Sequence, residues 1–293
     1  VVKYENPHIP DHMNRSQTNP LWDFTLLGLL VIGTIAALVF LAFVIGGFLG
    51  RLIPFSGEQW IVRQINPDWL ERPTTGKAAE LQELADRLTA HMNLPDGMEI
   101  VVHYVDDPTV NAFATVGGQV VMFRGLVSRV KSENELAMVM AHEIAHIKHR
   151  DVASSMGGAF LASALYSMLF GNEGFDGSLV NSAGGLLQLS FSRSAESAAD
   201  AEGLLAISKE YGHANGATDL FRTLESAQEE LPKGALDDFE FLQTHPNVES
   251  RINSVEQQAK GLEIALTGPL TPMSESLQAP PAPAKVKNKG GDK

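Results

Sequence analysis

A chain of 293 residues with a formal net charge of −13 and no cysteine is long enough for one large domain with appendages. The acidic balance argues against a nucleic-acid partner. The absence of thiols excludes disulfides and thiolate metal ligands and leaves the compartment open.

Residues 1–23 are polar and rich in Pro and Asn, the composition of a poorly ordered leader. Residues 24–50 then run without a charge between Asp23 and Arg51. As helix they measure about 40 Å, enough to cross a hydrocarbon core of about 30 Å with some tilt. The length and lack of amphipathic pattern disfavour a soluble core helix, and the long polar leader disfavours a cleaved signal peptide. The expectation is one uncleaved transmembrane anchor, hence a single-pass protein of the cell (inner) membrane with the lipid bilayer as a partner. Lys3 and Arg15 before the span and Arg51 and Arg63 after it give only a faint bias towards a cytoplasmic domain, so the side stays open. Residues 51–74 carry Pro54, Pro67, Pro73, Trp60 and Trp69 and are expected to form a membrane-proximal linker. The tryptophans suit either the interface or packing on the domain.

Leu81, Leu84, Ala85 and Leu88 line one face of a helix predicted over 77–92. Pro95-Asp96-Gly97 marks a turn. Residues 98–105 alternate and are rich in Ile and Val, so they read as a strand. Residues 109–115 and 119–123 read as a hairpin about Gly117-Gly118. An edge strand of such a sheet can pair with an extended peptide, and Asn111, Ala112, Phe113 and Ala114 are the candidate edge.

Ser132 and Glu135 form a capping box at the start of the next helix. Leu136, Val139, Met140, Ile144 and Ile147 give it an apolar stripe that buries it. On it stands His142-Glu143-Ile144-Ala145-His146. Residues i and i+4 share a face, so both imidazoles can grip one metal ion. Glu143 lies about 100° round the helix, beside the metal, where a general base belongs. A catalytic zinc takes three protein ligands. His149 lies a turn further along, at second-sphere or surface depth, and Val152 stands where one zincin class has its third His.

Residues 152–170 are uncharged and long enough for a second membrane helix. The favoured expectation is a helix buried against the domain or lying near the membrane. Residues 171–177 read as a loop, and 178–191 lead into the next helix; the stretch 152–191 could cover the site. That next helix carries Glu196 and Asp200 at i and i+4 among the small residues Ala195, Ser197, Ala198 and Ala199, which permit close approach to the first. Glu196 would complete a His-His-Glu site, and Asp200 would accept a hydrogen bond from the outer nitrogen of a ligand His. The helix stops at Gly212, and further helices are predicted over 217–231 and from Asn247 to about Lys260. His245, before Pro246, is either a second catalytic group facing the metal or a packing residue. From about Leu266 the composition turns to Pro, Ala, Ser and Lys, a disordered tail assigned to 263–293.

Three segments resemble one family: Ala-His-Glu-Ile-Ala-His at 141–146, Ser-Arg-x-x-Glu-x-x-Ala-Asp at 192–200, and Asn-Ala-Phe-Ala at 111–114 followed by Gly117-Gly118. Thr244-His245-Pro246 before Arg251 is a weaker match. The chain is similar here to the integral-membrane zinc metallopeptidases that include HtpX, the CAAX prenyl proteases and the mitochondrial Oma peptidase. The resemblance covers roughly residues 75–260. It implies an α+β, mostly helical zincin-like fold of the gluzincin type with a small β-sheet, behind one N-terminal transmembrane helix. It also implies one Zn2+ per chain and endopeptidase activity on protein or peptide substrates. The family's ligands fall on His142, His146 and Glu196, and its catalytic Glu on Glu143. The peptidase domain is accordingly set at 75–262. HtpX-type members have several clear membrane helices where this chain has one, and nothing matches the multi-helix chamber of the prenyl proteases. The expected role is quality control of misfolded or membrane-associated proteins. The rival readings are a latent enzyme, closed by His245 or the 152–191 cover, and a proteolytically silent scaffold or chaperone-like binder.

Overall fold

The computed structural model describes Tyr4, residues 19–171, 191–219, 221–223, Phe241, Thr244, His245 and residues 248–279. Helix α1, Pro20–Leu52, starts on Asn19, whose side chain accepts from the Leu21 N–H. Most of its apolar side chains are exposed, and its buried residues are Gly46, Gly47 and Gly50. The stretch expected to be a linker contains a helix of its own, α2, Phe55–Ile65, followed by a short 3-10 turn at Pro67–Leu70. The prolines mark the ends of these elements rather than an absence of structure, since proline is tolerated in a first helical turn. Trp69 lies against the His103 ring at 5.0 Å, whereas Trp60 is 61 % exposed.

Helix α3, Gly76–Met92, buries Leu81, Leu84, Ala85 and Leu88 as its periodicity requires. Strands β1 (Val101–Val105), β2 (Ala112–Thr115) and β3 (Gln119–Phe123) form a sheet in the order β1-β3-β2. β1 runs parallel to β3 and β2 antiparallel to it, with Ala112 opposite Met122. Gly117 and Gly118 turn the hairpin at φ of +73° and +81°, a backbone conformation that favours residues without a Cβ. The Gly117 N–H donates to buried Glu58 of α2 at 2.8 Å, which ties the membrane-proximal helix to the sheet.

After a short helix α4 (Arg124–Val127), helix α5, Glu133–Lys148, runs through the core and is buried from Asn134 to Ile147. Ser132 caps it as the Ser-x-x-Glu pattern predicts, its Oγ accepting from the Glu135 N–H, while the Glu135 carboxylate reaches one residue further back, to the Lys131 N–H. Helix α6, Asp151–Phe170, follows at once. It is not buried against the domain; only Asp151, Val152, Ala153 and Gly158 are buried. It lies antiparallel along the carboxyl half of α1, with Gly158 on Phe43, Gly157 on Gly46 and Ala153 on Gly50. A methyl group at Gly46, Gly50 or Gly157 would strike the facing backbone. Small residues at such a seam let two helix backbones touch. Both α1 and α6 are long and apolar enough to cross a membrane.

Helix α7, Arg193–Tyr211, packs across α5 and ends at Gly212 with φ +76°. Helix α8, Val248–Gly261, packs on α7. Residues 263–279, expected to belong to a disordered tail, are described and ordered. Residues 263–279 return to the domain, Thr271 exchanges hydrogen bonds with Glu133 and Asn134, and Met273 and Leu277 of this arm are buried. A short helix α9, Glu275–Gln278, closes it. These apolar side chains sit among polar ones without a regular period, so composition hides them. Residues 1–3, 5–18 and 280–293, the candidate cover segment 172–190 and most of the predicted helix 217–231 lie outside the described residues.

Candidate metal centre

α5 and α7 meet where their side chains are smallest. Ala199 is fully buried, and a Cβ on Gly203 would lie 3.0 Å from the Met138 side chain and 3.6 Å from the His142 backbone nitrogen. Glu196, Asp200, Gly203 and Ile207 form one stripe of α7 at helical spacing, so the two carboxylates are delivered to the histidine face of α5.

The donor atoms converge. His142 Nε2 lies 3.1 Å from His146 Nε2, and the Glu196 oxygens lie 3.5 Å from each of these nitrogens. The outer nitrogens are occupied by carboxylates: His142 Nδ1 is 3.0 Å from Asp200 Oδ1, and His146 Nδ1 is 3.1 Å from Asp151 Oδ2. When both outer nitrogens donate to these carboxylates, the two inner ring nitrogens and the Glu196 carboxylate form a buried donor set that can hold a cation. Tetrahedral ligands about 2.0–2.1 Å from zinc stand about 3.4 Å apart, and the three separations fit that edge length. The residues present therefore fit a zinc ion.

His245 adjoins these donors. Its Nδ1 lies 3.0 Å from Glu196 Oε1 and 3.3 Å from His142 Nε2. Together His142, His146, Glu196 and His245 form a group whose donor atoms all lie within 4.8 Å of one another. His245 Nε2 points the other way, 3.4 Å from Glu143 Oε1. Glu143 is fully buried, and neither of its oxygens has a hydrogen-bond partner among the described residues. A buried carboxylate without a hydrogen-bond donor is costly. Phe191 stacks on His146 with ring centroids 4.0 Å apart.

Arg251 of α8 is the cation of the site. It is 4 % exposed, donates to both Asp200 oxygens at 2.9 and 2.6 Å, and has Nη1 3.0 Å from Glu196 Oε2. Burial and the Arg251 charge oppose a proton on His142, but Asp200 and Glu196 outweigh them and hold its pKa up at about 9. Burial opposes ionisation of Asp200 and is overcome by Arg251 and His142, which bring its pKa to about 2. Glu196 is likewise pushed up by burial and pulled far below the carboxylate range by three histidines. For His245 burial is the largest influence and lowers its pKa, despite Glu143 and Glu196.

The structure thus brings His142, Glu143, His146, Glu196, Asp200 and His245 into one cluster. Asn111 precedes β2 and Ala112–Ala114 lie on it, at the sheet edge rather than among the donors. His149 caps the end of α5 and faces Glu202 at 3.7 Å, outside the cluster. Sequence reasoning missed Asp151, Phe191 and the grip of Arg251 on both carboxylates. Its one available signal was the Thr-His-Pro to Arg251 spacing; nothing local marked the other two.

The family model for Peptidase family M48 matches residues 75–259. The chain is 31 % identical over 271 residues to a Protease HtpX homolog of Salinibacter ruber, covering 80 % of this chain and 93 % of the relative. It is 33 % identical over 158 residues to the Mitochondrial metalloendopeptidase OMA1 of Schizosaccharomyces pombe, covering 53 % and 45 %. A Putative beta-barrel assembly-enhancing protease of Vibrio cholerae is 32 % identical over 167 residues, covering 53 % and 34 %. The chain therefore spans less than half the length of the OMA1 relative and about a third of the Vibrio one.

Proposed function

The chain belongs to peptidase family M48, and from that premise we propose that it is a membrane-anchored zinc endopeptidase. The observation that carries this reading is the convergence of His142, His146 and Glu196 beside Glu143, whose oxygens have no hydrogen-bond partner among the described residues. His142, His146 and Glu196 would hold the zinc. Bound there, zinc supplies Lewis acidity, polarising a peptide carbonyl and lowering the pKa of water towards about 7. Glu143 takes the proton of the attacking water and returns it to the leaving amine. Asp200 and Arg251 keep His142 and Glu196 oriented. The His245 ring, next to Glu143, donates towards the oxyanion.

An extended substrate adds to β2. Asn111 accepts from the Phe123 N–H, so Asn111 and Phe123 form a hydrogen-bonded pair. By antiparallel alternation the backbone groups of Ala112 and Ala114 then turn away from β3, to the side of β2 that pairs with no strand among the described residues. Helix α1 anchors the chain in a bilayer, and tethering confines it to misfolded or membrane-associated proteins. The relatives named HtpX homolog and beta-barrel assembly-enhancing protease support protein substrates.

One observation favours a second reading, that of a latent enzyme. His245 Nδ1 lies within the same donor group as His142, His146 and Glu196, so it would serve as a fourth ligand until it withdraws.

The test compares wild type with Glu143→Gln in detergent, measuring zinc content and casein hydrolysis together. The expected outcome is about one zinc in each and a loss of about 10²–10⁴-fold in rate for the variant. Zinc without hydrolysis by the wild type selects the latent reading. A folded wild type that takes up no zinc defeats both.

A further inference from the structure

We propose that Asp151 is a positioning residue for the metal ligand His146, and that Arg51 at the end of the anchor helix holds Asp151 in that role. The inference rests on the zinc-site reading of His142, His146 and Glu196 and goes beyond it. His142 and His146 have equivalent settings. Each turns Nε2 to the donor cluster and Nδ1 to a carboxylate, Asp200 for one and Asp151 for the other. Asp200 comes from a facing helix. Asp151 comes from the same stretch of chain, five residues after His146, and reaches it only because the backbone reverses between them.

That reversal has a visible cost. α5 ends at Lys148, and Arg150 adopts φ +65° before α6 begins at Asp151. A left-handed conformation is unfavourable for a residue with a side chain. It is held by contacts from the membrane-proximal segment: the Arg150 guanidinium pairs with buried Glu58 of α2 and donates to the Ile53 carbonyl at the α1–α2 junction. Asp151 itself is 6 % exposed. A carboxylate in the first turn of a helix is ordinarily favourable when it faces solvent. This one is turned inwards instead, with Oδ2 3.1 Å from His146 Nδ1 and Oδ1 3.6 Å from Arg51 Nη2. A carboxylate on the outer nitrogen of a ligand His fixes the tautomer, leaves Nε2 free for the metal and raises its basicity. Arg51 belongs to the last turn of α1. The anchor thus reaches a metal ligand through two contacts, Arg51 to Asp151 and Asp151 to His146.

The experiment measures zinc affinity of the full chain in detergent by competition with a chromogenic chelator, together with the absorption spectrum of the Co2+ form and a thermal melt. Asp151→Ala is expected to weaken zinc binding about 10–100-fold and to shift the Co2+ ligand-field bands. Asp151→Asn keeps an oxygen acceptor but loses the charge, so it should lose less than the alanine variant while still binding zinc more weakly than wild type. Arg51→Gln, at a half-exposed pair, is expected to cost about two- to fivefold. A merely structural carboxylate would lower the melting temperature and leave affinity and spectrum unchanged, and that result in Asp151→Ala overturns the proposal. If the alanine variant does not fold, wild-type affinity in Asp151→Asn overturns it equally. Wild-type affinity in Arg51→Gln removes the anchor from the chain of contacts. A wild type that binds no zinc overturns the metal-site reading and this inference with it, whereas a zinc-replete wild type with an unaffected Asp151→Ala overturns this inference alone.

Discussion

Arg251 neutralises two buried carboxylates and lies over the Phe221 ring at 4.4 Å. Its replacement by Met keeps apolar volume but leaves Asp200 and Glu196 without their cation. Breaking a buried pair by removing one partner costs about 3–5 kcal/mol. In the metal-free protein Arg251→Met should therefore lower the thermal midpoint by many degrees. Added zinc should recover part of the loss, because the metal neutralises Glu196 by another route. Calorimetry with and without zinc checks both. The residue scale is also where the sequence was most legible. His142 and His146, and Glu196 and Asp200, are pairs at i and i+4, and helical geometry alone sends each pair to one side. Asp151 and Phe191 were not legible, because each reaches His146 through a change of chain direction that no local pattern encodes.

At the scale of elements, α5 and α7 were readable because their buried faces are written into each helix. The partner of α6 was not. An apolar, small-residue helix can pack on a domain core or on another such helix, and only the tertiary structure shows that α1 is its neighbour. The same holds for α2, which prolines disguise, and for the arm over 263–279. The α1–α6 seam makes a direct prediction. A Cβ at Gly47 would lie 3.2 Å from Ser154 Oγ, within the range that a disulfide spans. Because the chain has no cysteine, Gly47→Cys combined with Ser154→Cys should close a single cross-link under mild oxidation, read as a gel shift reversed by reductant. Gly50→Val should abolish that cross-link, since even a methyl group there meets the Ala153 carbonyl.

For the whole molecule, the metal is expected to contribute to folding as well as chemistry. A site that binds zinc only when folded gains about 2.7 kcal/mol at a hundredfold excess over Kd. Treatment with 1,10-phenanthroline should lower the melting temperature of the full chain, and zinc should restore it. An unchanged midpoint would mean the cluster is held by its ion pairs alone. The placement of α6 also bears on the site's depth. If α1 crosses a bilayer, α6 enters the same slab, and the end of α5 stands at the membrane surface. The arm over 263–279 has a different consequence, one of timing. The Thr271 carbonyl accepts from the Glu133 N–H, and Asn134 accepts from the Thr271 N–H, so the first turn of the metal-bearing helix is completed by chain translated more than a hundred residues later. During synthesis the histidine helix emerges well before the segment that closes its amino end. The amino end of that helix is thereby left without these partners in the nascent chain until Thr271 has been made and folded back onto it.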